Sequence, residues 1–167
     1  MKQRISRIVS SCFFQLRQLR SIRRSLTMEA SKTLVHSLVS SRVDYCNSIF
    51  YGATNAVVRR LQSVLNAAAR LITNTRKFDH ITPVLRDQLH WLPIRQRIIF
   101  KIPTFVQNSL HGRGPTYLSR SCIPILVIGA RAHLRSAARG HLTTPRTRTR
   151  RFGPRSFRVS GPAVWNS

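Results

Sequence analysis

The chain has 167 residues, of which 29 are Lys or Arg and only 4 are Asp or Glu, so its formal net charge is +25. A surface of this charge repels itself unless an anion neutralises it, and the candidate anions are nucleic acid, an acidic protein or an anionic membrane face. Lysine occurs only at positions 2, 32, 77 and 101, so arginine supplies nearly all of the positive charge. Because the planar guanidinium binds phosphate in two contacts and stacks on bases, this bias favours nucleic acid. The alternative explanation for the high arginine content is codon bias in a decaying sequence.

Cysteine content and hydropathy limit the location of the chain. Cys12, Cys46 and Cys122 are widely spaced and odd in number, which argues against a disulfide framework and favours a reducing compartment. No apolar run approaches the roughly 20 residues of a membrane helix, so we expect no membrane partner. Residues 1–28 contain no acid and match a mitochondrial presequence in composition, but an ordinary basic amphipathic helix has the same composition. We expect a cytoplasmic or nuclear location.

Hydrophobic periodicity predicts helices through the first half of the chain. Apolar residues recur at helical spacing over residues 3–22. Thr27 is a fair N-cap for a second helix, with Glu29 favourably placed in its first turn. Ser40 and Ser41 could interrupt that helix, which we expect to resume over residues 43–51 and to end at Gly52.

The strongest amphipathic pattern covers residues 54–73, and a polar loop follows it to residue 79. A short helix is then predicted from Pro83 to about Leu89. A longer helix follows over residues 94–110. Pro103 lies inside it, and an interior proline costs about 3 kcal/mol, so this helix is expected to kink or break there.

The composition changes after about residue 121, where Arg, Thr, Ser, Gly and Pro dominate and periodicity weakens. Residues 142–144 and 156–160 could form short strands. The sequence therefore predicts an all-α fold, with a small helical bundle over residues 1–121 and a basic, mostly irregular tail over residues 122–167.

Acidic residues are too few and too scattered for the common catalytic sites. Polymerases and nucleases cluster carboxylates around two metal ions about 4 Å apart, but Glu29, Asp44, Asp79 and Asp87 are dispersed. No phosphate-binding glycine loop, nucleophile elbow or metal-ligand spacing of His and Cys occurs. Asp79 beside His80 could be read as a catalytic pair, but a loop-bracing role for Asp79 is the stronger interpretation. We expect a chain without enzymatic activity, metal or cofactor.

Arginine clusters are the best candidates for a binding site. Arg guanidinium and Thr hydroxyl groups both bond phosphate oxygens, and interleaved Phe rings can stack on unpaired bases. The first cluster alternates with threonine and comprises Arg146, Arg148, Arg150, Arg151 and Arg155. A second set precedes it, at Arg131, Arg135 and Arg139. A patch on the helical part comprises Arg59, Arg60, Arg70, Arg76 and Lys77. The alternative is a solvated, disordered tail.

Trp91 and Trp165 could be stacking platforms, but core anchoring is the stronger interpretation for both.

Several blocks of the sequence resemble, in the same order, a region found after the reverse-transcriptase domain of jockey-like non-LTR (LINE-type) retrotransposons. The blocks are LVSSRVDYCNS at 38–48, LQSV at 61–64, NAAARL at 66–71, DHITPVL at 79–85, LHWLPI at 89–94, QRI at 96–98, LHG at 110–112, PTYL at 115–118, PRTR at 145–148 and SGPAVWNS at 160–167. Each block alone is weak. Together they cover nearly the whole chain and make the resemblance specific.

The resemblance implies a thumb and C-terminal extension that grip template and primer, downstream of a palm domain that carries the catalytic carboxylates. The expected partners are RNA, DNA or an RNA–DNA hybrid, and the upstream palm in the full polyprotein. The Tyr-x-Asp-Asp signature of the polymerase does not occur here, so no catalytic residue is carried over. Pro103, and an end at Ser167 where the family pattern continues for a few residues, favour a truncated or decaying copy.

Two other interpretations remain open. A structural RNA-binding protein of the mitochondrial ribosomal type would have the same charge and a cleaved N-terminal helix. A retrotransposon relic without selected function would have the same blocks but a core that no longer closes.

Overall fold

The chain is described by a computed structural model that covers residues 2–150 and 152–167. Helices account for 69% of it, and no strand occurs in these two ranges, so the all-α prediction is confirmed. The α-helices are α1 Lys2–Ile22, α2 Met28–Val35, α3 Ser41–Asp44, α4 Asn55–Thr73, α5 Ile94–Leu110, α6 Thr116–Ser119, α7 Arg135–Ala138 and α8 Phe157–Trp165. Short 3-10 helices occupy Arg23–Ser25, Asn47–Phe50, Ile125–Val127, Gly129–Arg131 and Gly153–Arg155, and π-helical turns occupy His36–Ser40 and Val84–Gln88.

The chain divides into two compact units. Unit 1 comprises Met1–Asn47 and Ala53–Arg97, and unit 2 comprises Ser48–Gly52 and Ile98–Ser167. This division follows packing and falls inside α5, whereas the predicted boundary after residue 121 followed composition.

The core of unit 1 joins the apolar faces of α1 and α4. Every third or fourth residue of α1 is buried, from Ile5 to Leu19, and the stripe on α4 runs from Val57 to Ile72. Ala68 and Ala69 are fully buried, so these two small side chains of α4 lie in the core. Trp91 is also buried, which confirms its role as an anchor.

The segment after α1 begins with the predicted cap. The Thr27 hydroxyl accepts a hydrogen bond from the Ala30 amide at 3.2 Å, and Glu29 forms an ion pair with Lys32 at 2.9 Å. The predicted interruption at Ser40 and Ser41 corresponds to a π-helical turn that joins α2 to α3.

The prediction that this helix resumes as far as residue 51 was wrong. It ends at Asp44, because Cys46 adopts a left-handed conformation with φ of 54° that no continuing helix allows. A 3-10 helix follows, and Gly52, with φ of 66°, ends it as predicted.

In unit 2, the proline within α5 does not break the helix, which runs unbroken from Ile94 to Leu110. Val106 of α5 packs with Cys122 and Leu142 in a buried cluster, against which Phe157 and Trp165 also pack. The sequence from 122 onward is therefore folded onto α5, and Trp165 anchors the core as predicted.

The two strands considered for the tail were wrong. Leu142 forms only an isolated antiparallel bridge with Pro124, and residues 157–160 begin α8. The α8 helix closes the cluster through Asn166, whose carboxamide accepts from the Leu142 amide at 2.9 Å and donates to the Leu142 carbonyl at 2.8 Å. Pairing both backbone groups of one buried residue replaces the ladder that a strand would have supplied.

None of the described helices is long and apolar enough to cross a membrane.

Candidate nucleic-acid interface

The segment between Leu142 and α8 carries the cluster in which arginine alternates with threonine. Residues 143–150 form no helix or strand, and Arg146, Arg148 and Arg150 are exposed. Arg151 lies outside the described residues. We refer to residues 143–150 as the basic loop.

The threonines hold the basic loop against the turn at Gly153. The Thr149 hydroxyl accepts a hydrogen bond from the Gly153 amide at 2.9 Å. A Cβ atom at Gly153 would lie 2.5 Å from the Thr147 Cβ atom, so only glycine allows this close approach. Thr147 and Thr149 thus contact this turn, although both remain exposed, as do the arginines between and beside them.

Arg155 belongs to the same sequence cluster but is bound within unit 2. Its Nε donates to the Tyr51 carbonyl at 2.9 Å, and its Nη2 donates to the Ile49 carbonyl at 3.3 Å. Its aliphatic stem packs beside Gly52, where a Cβ atom would lie 3.0 Å from the Arg155 Cγ. Arg155 therefore anchors the chain shortly after the basic loop, which the sequence did not suggest.

The second predicted set lies before, within and directly after α7. Arg131, Arg135 and Arg139 are all exposed. The Arg139 amide donates to the Arg135 carbonyl at 3.2 Å, one helical turn apart, so these two side chains lie on one face.

The patch predicted on α4 and the loop after it spans most of this helix. Arg59 and Arg70 are separated along α4 by about 16 Å. Arg60 is exposed and donates to the Ser6 hydroxyl at 3.2 Å. The structure groups Arg70 with the loop instead, because its Nε and Nη2 donate to the carbonyls of Arg76 and Asp79 at 3.3 and 3.0 Å.

This braced loop presents an aromatic ring that sequence reasoning missed. The Phe78 side chain is 89% exposed, beside the exposed Arg76 and Lys77, and the Lys77 Nζ lies 5.4 Å from the centre of its ring. An aromatic residue inside a polar, basic loop was the available signal. Asp79 braces the loop as expected, since its carboxylate accepts from the Arg76 amide at 3.2 Å.

The four acidic residues all make polar contacts within unit 1. Asp44 pairs with Arg97 at 2.8 Å, and Asp87 pairs with Arg86 at 2.7 Å. The hydrogen bond from Arg86 lowers the pKa of the Asp87 carboxyl. Within residues 2–150 and 152–167, no group of three or more His, Cys, Asp or Glu could hold a metal ion.

Charge is therefore distributed unequally along the chain. The sequence contains no Asp or Glu after Asp87, so unit 2 has no carboxylate side chain at all. The arginines of the basic loop and around α7 therefore have no acidic side chain within their own unit. A phosphate-bearing ligand is the chemistry that this arrangement suits.

No protein-family model, no curated protein and no solved structure matches this chain.

Proposed function

We propose that the chain is a nucleic-acid-binding, non-catalytic fragment of a retrotransposon RNA-directed DNA polymerase, and that it contacts the phosphate backbone of RNA or an RNA–DNA hybrid through arginine. The observation that carries the binding proposal is the basic loop, in which Arg146, Arg148 and Arg150 are exposed together on a segment attached at both ends.

Attachment of the loop favours binding. The Asn166 carboxamide holds Leu142 at the start of the loop, and the Thr149 hydroxyl bonds the Gly153 amide near its end. Because these contacts already restrict the backbone, less conformational entropy is lost when the arginines bind phosphate. A free tail of the same composition would lose more.

The expected recognition is of phosphate and not of base sequence. Guanidinium and threonine hydroxyl groups bond phosphate oxygens, which position a protein on a strand but carry no sequence information. Phe152, next to the cluster, is 74% exposed and is available to stack on an unpaired base. This pairing of charge and aromatic surface favours strands with accessible bases.

The retrotransposon origin rests on the ordered sequence blocks, from LVSSRVDYCNS at 38–48 to SGPAVWNS at 160–167. The absence of catalysis is supported by the acidic residues, each of which makes a polar contact within unit 1. The contacts are Glu29 with Lys32, Asp44 with Arg97, Asp79 with the Arg76 amide, and Asp87 with Arg86. Incorporation of nucleotides by the purified chain with Mg²⁺ would overturn this part.

Binding to single-stranded RNA, duplex DNA and an RNA–DNA hybrid across a salt series tests the proposal. Each phosphate contact contributes about 0.7 to the log–log salt slope on single strands and about 0.9 on duplex DNA. Replacing Arg146, Arg148 and Arg150 with Ala should therefore reduce the slope by about 2 on RNA and by about 3 on duplex DNA.

The matched control replaces Arg17, Arg20 and Arg24 with Ala. These three are exposed and lie in or just after α1, so the variant loses the same charge from a surface without a proposed contact. Equal reductions of slope in the two variants would mean that binding reflects net charge alone and would overturn the assignment to the basic loop.

A further inference from the structure

Unit 1 contains a basic cleft that includes none of the residues in the predicted arginine clusters. The cleft has a volume of about 540 Å³ and lies between α1 and the segment from Ser41 to Tyr45. None of the residues that line it is acidic. The polar ones are Arg4, Arg7, Ser11, Ser41, Arg42 and Tyr45.

Helical spacing explains why these side chains converge. Arg4, Arg7 and Ser11 stand at positions i, i+3 and i+7 of α1, so they lie along one face. Ile5 and Cys12 on the adjacent face are fully buried, which fixes α1 in unit 1 and with it this wall of the cleft.

The opposite wall comes from α3 and the residue that follows it. The Arg42 guanidinium donates a hydrogen bond to the Ser11 hydroxyl, so it links the two walls. A hydroxyl partner orients Arg42 without neutralising its charge. Three guanidinium groups therefore share one cleft with no carboxylate among its walls.

Tyr45 adds an aromatic surface to this site. Its side chain lines the cleft and is 69% exposed, although it immediately follows a helix whose Val43 is buried. Guanidinium groups bind phosphate, and an exposed ring stacks on a planar base. The volume lies within the usual range for small-molecule sites, about 300 to 1,000 Å³.

We infer that this cleft binds a nucleoside phosphate, with the phosphate group against Arg4, Arg7 and Arg42 and the base against the Tyr45 ring. The ligand is either a free nucleotide or the phosphorylated end of a strand, since both present the same chemistry. This site is separate in sequence from the basic loop, and the inference holds whether or not that loop binds nucleic acid.

Calorimetric titration of the full chain at 0.15 M salt tests the inference with AMP, ribose 5-phosphate and adenosine as probes. AMP should bind, and ribose 5-phosphate should bind about tenfold more weakly because it has no base to stack. Adenosine, which has no phosphate, should bind more weakly than AMP. A 5′-phosphorylated dinucleotide distinguishes the two sources: tighter binding than AMP assigns the site to a strand end, and equal binding assigns it to a free nucleotide.

Two cleft variants separate the roles of charge and ring. Replacing Arg4, Arg7 and Arg42 with Ala should weaken both phosphate probes by at least about tenfold. Tyr45→Ala should lower the affinity for AMP to that for ribose 5-phosphate and leave ribose 5-phosphate unchanged.

The variant with Arg17, Arg20 and Arg24 replaced by Ala is again the control, and its affinity for AMP should stay within about twofold of the original, because these residues do not line the cleft. The single change Arg7→Ala, at an exposed position, should fold normally and weaken AMP about fivefold. Equal losses in the cleft and control variants would overturn the inference, as would an unchanged preference for AMP over ribose 5-phosphate in Tyr45→Ala.

Discussion

Removing the Asn166 carboxamide should destabilise unit 2 well beyond an ordinary surface substitution. In Asn166→Ala, both the amide and the carbonyl of Leu142 lose their bonds to this side chain. Leu142 is 1% exposed, so water cannot readily replace them. Each buried group left unpaired costs about 1–3 kcal/mol, and two such groups give a loss of about 2–6 kcal/mol. For a chain of this size, that lowers Tm by about 10 °C.

Thermal unfolding followed by circular dichroism measures the size of this effect, and amide hydrogen exchange gives its location. Exchange at Leu142 should accelerate in Asn166→Ala more than exchange in α1. Asn166→Asp keeps the acceptor for the Leu142 amide but, when ionised, loses the donor for the Leu142 carbonyl. Its Tm should therefore lie between the Tm of the unsubstituted chain and that of Asn166→Ala. Ser167→Ala, which removes an exposed hydroxyl, is the control and should change stability by less than about 0.5 kcal/mol. Unchanged Tm and unchanged protection of Leu142 in Asn166→Ala would refute the reasoning.

Three further predictions concern the cysteines and the close contact at Gly153. At neutral pH, maleimide should label the exposed Cys46 quickly, while the buried Cys12 and Cys122 should react only after unfolding; rapid labelling of all three would contradict the packing. Burial raises the pKa of the Cys12 thiol above its ordinary value of about 9. The contribution of this thiol to the free energy of unfolding is therefore complete below about pH 9 and is lost as the pH rises through the folded-state pKa. Denaturant titrations from pH 8 to 11 should therefore show a smaller alkaline loss in Cys12→Ala, and parallel curves would contradict this. Gly153→Ala should lower the free energy of unfolding by about 1–3 kcal/mol, because the new Cβ would meet Thr147. Adding Thr147→Gly should restore most of that loss, and thermal melts of the single and double variants measure both effects.

Much of the helical fold could be predicted because its signals are local. The apolar stripes of α1, α4 and α5 follow helical periodicity, and the Thr27 cap involves a residue only three positions away. These features depend on neighbours along the chain, which a sequence displays directly.

The tail could not be predicted for the opposite reason. Its order depends on contacts between distant residues, such as Asn166 with Leu142 and Arg155 with the carbonyls of Ile49 and Tyr51. A run rich in Arg, Thr and Gly has weak periodicity whether it is free or held in this way, so composition does not distinguish the two states.

The candidate site was predictable in kind but not in detail. The excess of arginine indicated phosphate, and the exposed Arg146, Arg148 and Arg150 remain candidates. The sequence could not reveal that Arg70 and Arg155 bond to backbone carbonyls, since a guanidinium that serves structure and one that serves binding look alike in sequence. Phe78 was missed because a single aromatic residue in a loop has no periodic neighbours.

The confinement of every acidic side chain to unit 1 makes the persistence of unit 2 depend on its surroundings. A ligand that binds only the native form adds to the free energy of unfolding in proportion to the logarithm of its concentration. Because unit 2 has no acidic side chain of its own, polyanions should raise its resistance to proteases, and dilution into low salt should shorten its lifetime. Occupancy and turnover should therefore be coupled, with molecules bound to a polyanion degraded more slowly than molecules without one.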